Sequence, residues 1–400
     1  MLFQTLDDKS ECVGIYCDDK LIFDPQQFPE DLTATWKYCT YLSHLENVEY
    51  ASLYLQGKSV EDIIPEYLQD DWDDVSDNIR AFHRSLVISK VDMSENCFFD
   101  LVPKRHLVDF CRVKNNITKY VLNNHSRPKR YEFLLKVCQL LEEISNRKIN
   151  INRRKLKSFE TALKRDFGKN QHIDYNQFGT VTGRLTTTKK SFPLLTIRKD
   201  MRSVIEPIND KFIELDFNGA EARVLMGILG KQQPVKDIHD FHRDVVFDGK
   251  LTREQSKSAF FAWLYGAKKI NQSAEGDKLK SFYSKEYVVE KHWDGDTVST
   301  PLGKVIKKVD QHHALNYIVQ STTAELTLLQ AIKINHLLKT QSNNSFISCL
   351  IHDSIIIDLD DKDIKLVPKI KALMESTKFG TFGVNISEGC NLGGLKKVEY

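Results

Sequence analysis

The sequence predicts an α+β fold with a small α/β domain at its N-terminus. Three features lead to this expectation. Residues 11–23 contain two short apolar runs around a polar turn, which is typical of a β-hairpin. Residues 211–216 and 346–359 have the short apolar runs of buried strands. Residues 252–264 and 312–338 have the longer periodic patterns of helices.

The composition is that of a folded protein: 400 residues, of which 41% are apolar and 28% are charged. A chain of this length can form two or three domains. It contains no apolar run of the roughly 18 residues that cross a bilayer, and it begins with polar and acidic residues, so we expect a cytoplasmic protein without membrane contact. The eight cysteines form no CxxC pair, which argues against a zinc knuckle and favours reduced, structural thiols.

Charge is distributed unevenly along the chain. Residues 1–100 contain 7 basic and 21 acidic residues, a net charge of −14, whereas residues 101–200 contain 23 basic and 8 acidic residues, a net charge of +15. The first of these segments would repel phosphates, and the second has the charge expected of a nucleic-acid contact. Basic segments also bind membranes and acidic proteins, so charge alone leaves those alternatives open.

Helical spacing of apolar residues extends through the basic part of the chain. Residues 101–121 have the first basic helical pattern, and a linker is expected at residues 123–129, where His, Ser and Pro interrupt it. A further helix is expected over residues 131–144, followed by a basic stretch at residues 147–169. The strand expected later in the chain ends in an acid, Asp216, and leads into a helix rich in Ala, Val, Leu and Met.

Four residues in and just after the helix predicted at 252–264 share one face. Arg253, Lys257, Phe261 and Tyr265 follow one another at intervals of four, so on a helix they form a stripe about 18 Å long. Two cations followed by two rings suit a triphosphate with its nucleoside beyond it, because Arg and Lys bind phosphate oxygens. The alternative is an ordinary solvated face with buried aromatic residues.

Two aspartates lie at the ends of apolar segments, where a carboxylate is costly without a cation or hydrogen-bond donors. Asp216 closes a strand, and Asp353 lies at the tip of the hairpin predicted at 346–359. Phosphoryl transfer to a hydroxyl needs charge neutralised on the entering and leaving oxygens, which two Mg²⁺ ions held by such carboxylates would do. Alternatively, Asp216 caps a helix and Asp353 is only a turn residue.

Four segments of the chain resemble, in order, the signature motifs of the family-A DNA polymerases, the group of bacterial DNA polymerase I and many phage replicases. They are Thr182-Gly183-Arg184-Leu185, Asp216-Phe217-Asn218-Gly219-Ala220-Glu221-Ala222-Arg223, Arg253-x3-Lys257-x3-Phe261-x3-Tyr265-Gly266 and His352-Asp353. Weaker matches lie in the expected gaps, namely Asp237-Ile238-His239, Thr300-x2-Gly303-Lys304 and Asn316-x3-Gln320. The resemblance covers residues 131–400.

The resemblance implies a polymerase right hand, in which an antiparallel palm sheet carries helical fingers and a reduced thumb. Residues 131–181 would form the thumb, residues 182–224 and 300–400 the palm, and residues 225–299 the fingers. The resemblance also implies a role for each matched residue. The roles are metal ligation by Asp216, Asp353 and the Phe217 carbonyl; catalysis by Asp216, Asp353, Arg253 and Lys257; substrate binding by Glu221, His239, Phe261, Tyr265 and Gly266; and DNA binding by Arg184, Asn316, Gln320 and His352.

Two of these positions refine the expected chemistry. In the family, a glutamate at the position of Glu221 lies beneath the sugar and excludes a 2′-hydroxyl, which implies a preference for dNTPs. The alternative is that Glu221 only pairs with Arg223 or another neighbour on its helix. Gly266 has no side chain and would therefore let the template strand approach closely.

The chain also departs from the family's pattern. The stretch between residues 150 and 182 is too short for the usual thumb, and Ser354 stands where the family usually has a glutamate. Residues 1–130 stand where the family carries a 3′–5′ exonuclease, but the Asp-x-Glu pair that this activity needs is absent from the first predicted strand. We therefore expect an accessory domain, either a degenerate exonuclease or unrelated to one, whose acidity suits docking of a processivity or replisome protein.

These patterns predict a DNA-directed DNA polymerase, a nucleotidyltransferase that extends a primer 3′-hydroxyl with dNTPs on primer-template DNA and lacks proofreading. Two Mg²⁺ ions, or Mn²⁺ in their place, are the expected cofactors. The expected location is the cytoplasm of a bacterial or phage-infected cell. Two alternatives are a reverse transcriptase or RNA polymerase on the same palm, and a catalytically idle DNA-binding subunit of a replisome.

Overall fold

The computed structural model describes residues 1–8, 11–93, 95–163 and 171–400. The chain divides into two compact units, Met1–Asn146 and Arg147–Tyr400. Among the described residues, no helix combines the length and the apolar character that crossing a membrane requires.

The first unit consists of short strands followed by helices. Its strands are β1 (Phe3–Asp8), β2 (Glu11–Cys17), β3 (Lys20–Ile22), β4 (Ala34–Thr35) and β5 (Glu49–Tyr50), and its helices are α1 (Ala51–Tyr54), α2 (Glu66–Ile88), α3 (Phe98–Leu101), α4 (Lys104–Asn124) and α5 (Tyr131–Asn146). Strands β1, β2 and β3 form an antiparallel sheet in that order, and β4 pairs with β5 in parallel. Short 3-10 turns lie at Pro25–Gln27 and Thr40–His44.

The hairpin expected at residues 11–23 is present as β2 and β3. Asp18 and Asp19 at its turn have φ angles of 48° and 57°, the conformation that a two-residue hairpin turn requires. Strand β1, which pairs along β2, was not expected from the sequence. Helix α5 lies in the first unit, not at the start of the second, because it packs against α1 and the Tyr131 hydroxyl accepts a hydrogen bond from the Tyr50 N–H group (2.8 Å).

The second unit is larger and mixes strands with helices. Its strands are β6 (Asn150–Ile151), β7 (Tyr175–Asn176), β8 (Thr186–Thr187), β9 (Ile205–Glu206), β10 (Lys211–Phe217), β11 (Val298–Ser299), β12 (Val305–Ile306), β13 (Phe346–Ile351), β14 (Ser354–Leu359), β15 (Ser376–Thr377), β16 (Gly380–Thr381), β17 (Val384–Gly389) and β18 (Lys396–Val398). Its helices are α6 (Arg153–Leu163), α7 (Ala220–Ile228), α8 (Ile238–Phe241), α9 (Arg253–Leu264), α10 (Lys268–Asn271), α11 (Ala274–Tyr283), α12 (Lys285–His292), α13 (Gln311–Gln341) and α14 (Val367–Glu375). A π-helical turn at His242–Val246 extends α8, and 3-10 turns lie at Asp200–Val204 and Asp361–Leu366. The end of the expected basic stretch, residues 164–169, lies outside the described residues, whereas its earlier part forms α6.

A five-stranded antiparallel sheet forms the centre of the second unit, with strand order β13-β14-β10-β17-β18. On the central strand β10, the buried residues Ile213, Leu215 and Phe217 alternate with Glu214 and Asp216. Because side chains alternate between the faces of a strand, the two acids share the opposite face. The α+β expectation is confirmed, while the division into palm, fingers and thumb stays a prediction.

The long helix α13 packs against the sheet and against α7 and α14. Its middle, residues 321–328, is buried on every side, which explains why its apolar residues show no single stripe. The side chain of Gln330 in α13 donates hydrogen bonds to the carbonyl groups of Met374 (3.0 Å) and Ser376 (2.9 Å) at the end of α14. These bonds satisfy carbonyl groups that a helix end leaves without partners.

Asp363 is a buried carboxylate that joins the chain after α13 to the chain after β14. It accepts hydrogen bonds from the backbone N–H groups of Asn343 (2.9 Å) and Ser345 (3.2 Å) and from the Ser345 hydroxyl (2.7 Å). Burial by itself would raise the pKa of Asp363, but these hydrogen bonds lower it to about 2. The ionised carboxylate is therefore part of the folded structure.

We predict that Asp363→Ala lowers the free energy of unfolding of the second unit by about 3 kcal/mol at about pH 7, because several buried donors lose their acceptor. The folded pKa lies below the ordinary value of about 3.9, so the stabilisation is complete above about pH 4 and is lost as the pH falls towards 2. Urea unfolding at about pH 7 and about pH 3 measures this effect. The exposed Asp361→Ala is the control, and a stability difference that did not shrink at low pH would contradict the assignment.

Candidate active site

Most of the residues identified in the sequence line one cleft of the second unit, with a volume of about 470 Å³. The predicted residues that line it are Arg184, Asp216, Phe217, Glu221, His239, Arg253, Lys257, Phe261, Tyr265, His352 and Asp353. The other predicted residues, Gly266, Asn316 and Gln320, lie outside the lining of this cleft in the described structure. The structure therefore brings together residues from all four strong motifs, the first of them represented by Arg184. His239, from the weaker match Asp237-Ile238-His239, joins them.

The pairing of β10 with β14 brings the two aspartates together although they are far apart in the sequence. Asp216 pairs in register with Ser354, and Asp353 directly precedes Ser354 in the turn after β13. The Ser354 hydroxyl donates a hydrogen bond to Asp216 Oδ1 (2.8 Å). Ser354 thus supports the carboxylate of Asp216 and adds no charge of its own.

The carboxyl groups at the base of the cleft are electrostatically strained. Burial, together with the negative charge of Asp353, raises the pKa of Asp216 to about 7. Burial also raises the pKa of Asp353, although the nearby cations Arg184 and Lys257 oppose this effect. The pKa of Glu214, on the same face of β10 as Asp216, is raised by burial as well. Carboxylates that repel one another in a half-buried site favour binding of a cation.

Helix α9 presents the predicted stripe to the cleft, and Arg253, Lys257, Phe261 and Tyr265 are called the α9 stripe below. The helix begins with a capping box, in which the Thr252 hydroxyl accepts from the Gln255 N–H group (3.2 Å) and the Gln255 side chain accepts from the Thr252 N–H group (2.8 Å). The rings of Phe261 and Tyr265 stack with their centroids 6.0 Å apart. The order of two cations and then two rings is therefore preserved along one wall of the cleft.

Glu221 is buried and has its partners on other elements rather than along its own helix. Its carboxylate forms a salt bridge with Arg184 and accepts a hydrogen bond from the Tyr265 hydroxyl (3.0 Å). Arg223, the alternative partner, instead donates to main-chain carbonyl groups, including that of Asn218 (2.7 Å). The position of Glu221 is thus fixed from both sides, while burial raises the pKa of its carboxyl group in spite of these partners.

Arg253 is held by Asp237, the first residue of the weak match Asp237-Ile238-His239, and the sequence alone predicts no role for this aspartate. Two hydrogen bonds join the guanidinium and the carboxylate, from Nε to Oδ1 (3.1 Å) and from Nη2 to Oδ2 (2.7 Å). Asp237 also accepts hydrogen bonds from the Asn218 side chain (2.7 Å) and the His239 N–H group (2.8 Å). Burial alone would raise the pKa of Asp237, but these hydrogen bonds lower it overall. The arginine is therefore oriented in the cleft by a permanently ionised acid.

His239 is buried beside α9. Its ring centroid lies 5.9 Å from that of Phe261. Burial lowers the pKa of His239 to about 4, so its imidazole is neutral at physiological pH. Among the described residues, its buried Nδ1 atom has no hydrogen-bond partner. A substrate group that reaches this nitrogen would supply one.

The predicted residues outside the cleft have other surroundings. Gly266 follows α9 with a φ of 77°, and a Cβ atom there would lie 2.5 Å from Cε1 of His312. Glycine is therefore required by the backbone and by the His312 ring, while its contact with a template strand stays a prediction. Asn316 and Gln320 lie one turn apart on α13, and Oδ1 of Asn316 is buried without a hydrogen-bond partner in the described part of the chain.

Several residues at the site were not identified from the sequence. Asn218 and Asp237 stand inside quoted motifs, so a signal was available for them, and Glu214 shares a strand face with Asp216. Asn385 and Thr323 also line the cleft. Asn385 reaches it only because β17 pairs with β10 opposite Asp216, and no local pattern in the sequence indicates that pairing.

The chain has relatives among the DNA polymerases. It is 24% identical over 271 residues to DNA polymerase I of Aquifex aeolicus (strain VF5) and 26% identical over 265 residues to a DNA polymerase of Bacillus phage SP01. The resemblance to the family-A DNA polymerases is confirmed. The alignments cover 57% and 51% of this chain but only 47% and 29% of the relatives, so the chain spans less than half the length of either. No family model matches the chain.

The fold resembles that of the POL domain of Pol1 from M. smegmatis, a structure solved in complex with DNA primer-template and dNTP. The TM-score is 0.67 at 13% sequence identity, and the match covers 98% of this chain and 95% of that chain. At this identity the likeness concerns the fold. Because it covers nearly the whole chain, it extends to the first unit as well as the second.

We predict that Asp216→Asn stabilises the protein in the absence of divalent cations. The folded pKa of about 7 lies above the ordinary value of about 3.9, so the unfolded chain releases this proton more readily than the folded chain does. The free energy of unfolding of the wild type therefore falls as the pH rises between these two values. The variant should gain about 2 kcal/mol in the free energy of unfolding at about pH 8, and less at about pH 5.

Urea unfolding with a chelator present measures this gain at both pH values. Asp200→Asn is the matched control, because Asp200 is an exposed acid of the same unit. A variant no more stable than the wild type at about pH 8 would show that Asp216 is not strained in the folded chain.

Proposed function

We propose that the chain is a template-directed DNA polymerase that extends a primer 3′-hydroxyl with dNTPs on primer-template DNA. The observation that carries this proposal is the cleft in which two half-buried carboxylates, Asp216 and Asp353, lie together with the α9 stripe. Phosphoryl transfer from a nucleotide needs anionic metal ligands on one side and cations for the phosphates on the other. The relatives named DNA polymerase support the proposal, as does a structural neighbour solved with primer-template and dNTP.

The base of the cleft fits a divalent cation. Mg²⁺ is commonly held by one or two carboxylates and completes its shell with water and substrate phosphates. Asp216 and Asp353 would supply the carboxylates, and Phe217 would supply a main-chain carbonyl. The described residues include no cluster of three or more His, Cys, Asp or Glu side chains suited to a metal ion, so water and substrate phosphates would have to complete the shell. Two Mg²⁺ ions, or Mn²⁺, would neutralise charge on the attacking hydroxyl and on the leaving pyrophosphate.

The α9 stripe would bind the incoming nucleotide. Lys257 is exposed and would bind phosphate oxygens, while the stacked rings of Phe261 and Tyr265 would pack on the sugar and the base. Arg253 would bind the terminal phosphate, in competition with or alongside the carboxylate of Asp237. The neutral imidazole of a neighbouring histidine, His239, would complete the nucleotide contacts.

Glu221 would select the sugar. Because Arg184 and Tyr265 hold its carboxylate, it cannot move away from a ribose without breaking a salt bridge and a hydrogen bond. A 2′-hydroxyl would therefore meet a fixed, buried group. This constraint favours a DNA polymerase over the RNA polymerase alternative.

The remaining predicted residues would contact DNA. Arg184 and His352 line the cleft beside the aspartates and are assigned to the primer terminus. Asn316 and Gln320 are assigned to the minor groove, where the buried acceptor of Asn316 would suit the amino group of a guanine.

We infer that the first unit belongs to the polymerase fold and carries no exonuclease. The neighbour that the chain resembles over 98% of its length is a POL domain, which favours this assignment over a degenerate exonuclease. Exposed acids on α2, namely Asp70, Asp71, Asp73 and Asp74, would repel DNA and suit docking of a processivity or replisome protein.

Asp216→Ala and Asp353→Ala should each lower the rate of primer extension by at least about a thousandfold, because each removes a proposed metal ligand. Binding of primer-template, measured by fluorescence anisotropy, should change little. A chelator should abolish extension by the wild type, and added Mg²⁺ or Mn²⁺ should restore it.

The exposed Asp361→Ala serves as the control for these variants. Extension by either cleft variant at the wild-type rate would remove the mechanism. Equal use of RNA templates or rNTPs would favour a reverse transcriptase or RNA polymerase. DNA binding without any extension by the wild type would favour an idle replisome subunit.

Glu221→Ala should lower the preference for dNTPs over rNTPs by about tenfold to a hundredfold, because it removes the group that a 2′-hydroxyl would meet. Steady-state kcat/KM values for a matched dNTP and rNTP pair on one primer-template measure the preference. Glu221→Gln keeps the size of the side chain and should therefore retain most of the preference for dNTPs. An unchanged preference in the alanine variant would assign sugar selection to another residue.

A further inference from the structure

The first unit contains a separate cleft, of about 370 Å³, whose residues have no part in the proposed polymerase function. Two of these residues are cysteines: Cys12 in β2, and Cys39 directly before the 3-10 turn at Thr40–His44. Strand β2 and this turn pack against each other. The other residues that line the cleft are Asp7, Glu11, Thr40, Tyr41 and Glu142.

The two thiols line the same cleft, one on strand β2 and the other directly before the turn that packs against this strand. Cys12 is partly exposed and also donates a hydrogen bond to the Gly14 carbonyl (3.3 Å), whereas Cys39 is buried. In the sheet, Cys12 pairs with Asp7, next to an irregularity in the register between Leu6 and Asp7. Such bulges redirect side chains, and this one lies beside the thiol pair.

We propose that Cys12 and Cys39 form a reversible disulfide, and that this cleft is a site of oxidation by low-molecular-weight disulfides. The cleft gives a small oxidant access to the half-buried Cys12, and the buried Cys39 lines the same cleft as the second thiol. Such an accessible thiol paired with a resolving thiol is the usual arrangement of redox-sensitive cysteines. The expectation that all eight cysteines are only structural would then not hold for this pair.

The acidity of the two thiols supports this order of reaction. The hydrogen bond from Cys39 lowers the pKa of Cys12, in spite of burial and the charge of Asp7. The same interaction, together with burial, raises the pKa of Cys39. Burial also raises the pKa of five other cysteines, namely Cys17, Cys97, Cys111, Cys138 and Cys349. Cys12 is therefore the attacking thiolate among the buried and half-buried cysteines.

The reaction is thiol–disulfide exchange in two steps. The Cys12 thiolate attacks one sulfur of the small disulfide RSSR, forms a mixed disulfide and releases RS⁻. Cys39 then gives its proton to RS⁻ and attacks the Cys12 sulfur, which forms the Cys12–Cys39 bond and releases the second RS⁻. The two protein thiols lose two electrons and two protons, and RSSR is reduced to two RSH.

Thiol counting on the full chain tests the proposal. A Cys390→Ser variant removes the exposed thiol and serves as the parent protein. It is incubated with glutathione disulfide, quenched with acid, and alkylated under denaturing conditions before mass spectrometry. We expect the loss of two free thiols, a Cys12–Cys39 peptide on mapping, and full recovery of the thiols with dithiothreitol.

Single substitutions in the same parent separate the two steps. Cys39→Ser should stop at a mixed disulfide on Cys12, because the resolving thiol is missing, and Cys12→Ser should lose no thiols. Cys97→Ser, which alters a half-buried cysteine outside the cleft, should still form the disulfide. An unchanged thiol count in the parent, a disulfide that maps to other cysteines, or a stable mixed disulfide on Cys12 of the parent would overturn the proposal. None of these outcomes bears on polymerase activity.

Discussion

The register between β10 and β14 is the constraint on which the candidate site depends. Leu215 of β10 lies opposite Ile355 of β14, and Ile213 lies opposite Ile357. All four side chains are buried. This apolar face fixes the register, because a shift by one residue would turn these apolar side chains to the opposite face of the sheet, where Glu214 and Asp216 lie. The same register places Asp216 opposite the residue that follows the second aspartate. A hydrophobic constraint on one face of the sheet thus determines the chemistry on the other.

Charge in the cleft is organised in opposite ways at its two sides. The acids at its base are held without sufficient counter-charge, and the raised pKa of Asp216 reflects this. In contrast, Glu221 and Arg253 each have a partner of opposite charge, Arg184 and Asp237. The acids that lack a counter-charge lie where a cation would bind. The ion pairs of Glu221 and Arg253 lie where side chains have to be held in position. A site of this kind sacrifices some stability for binding, as functional sites commonly do.

The two units differ in the kind of chemistry that they offer. The second unit contains the cleft with the carboxylates and the α9 stripe. The first unit contains a long, acidic helix, α2, and the thiol pair of Cys12 and Cys39. The charge of the first hundred residues, −14, predicts from composition alone that this part of the chain repels phosphates. Composition did not predict that the two thiols share a cleft, since 26 residues of the chain separate them.

The sequence by itself determined the elements and the chemical groups of this protein. The hairpin at β2 and β3, the helix α9 with its stripe, the strand β10 and the hairpin of β13 and β14 all follow from local periodicity, which depends only on neighbouring residues. Tertiary structure alone decided which of these groups meet. It held Arg253 with Asp237, paired Glu221 with Arg184, placed α5 in the first unit and brought Asn385 opposite Asp216. These contacts join residues distant along the chain, and the folding free energy that selects them comes from packing of the whole unit rather than from any local pattern.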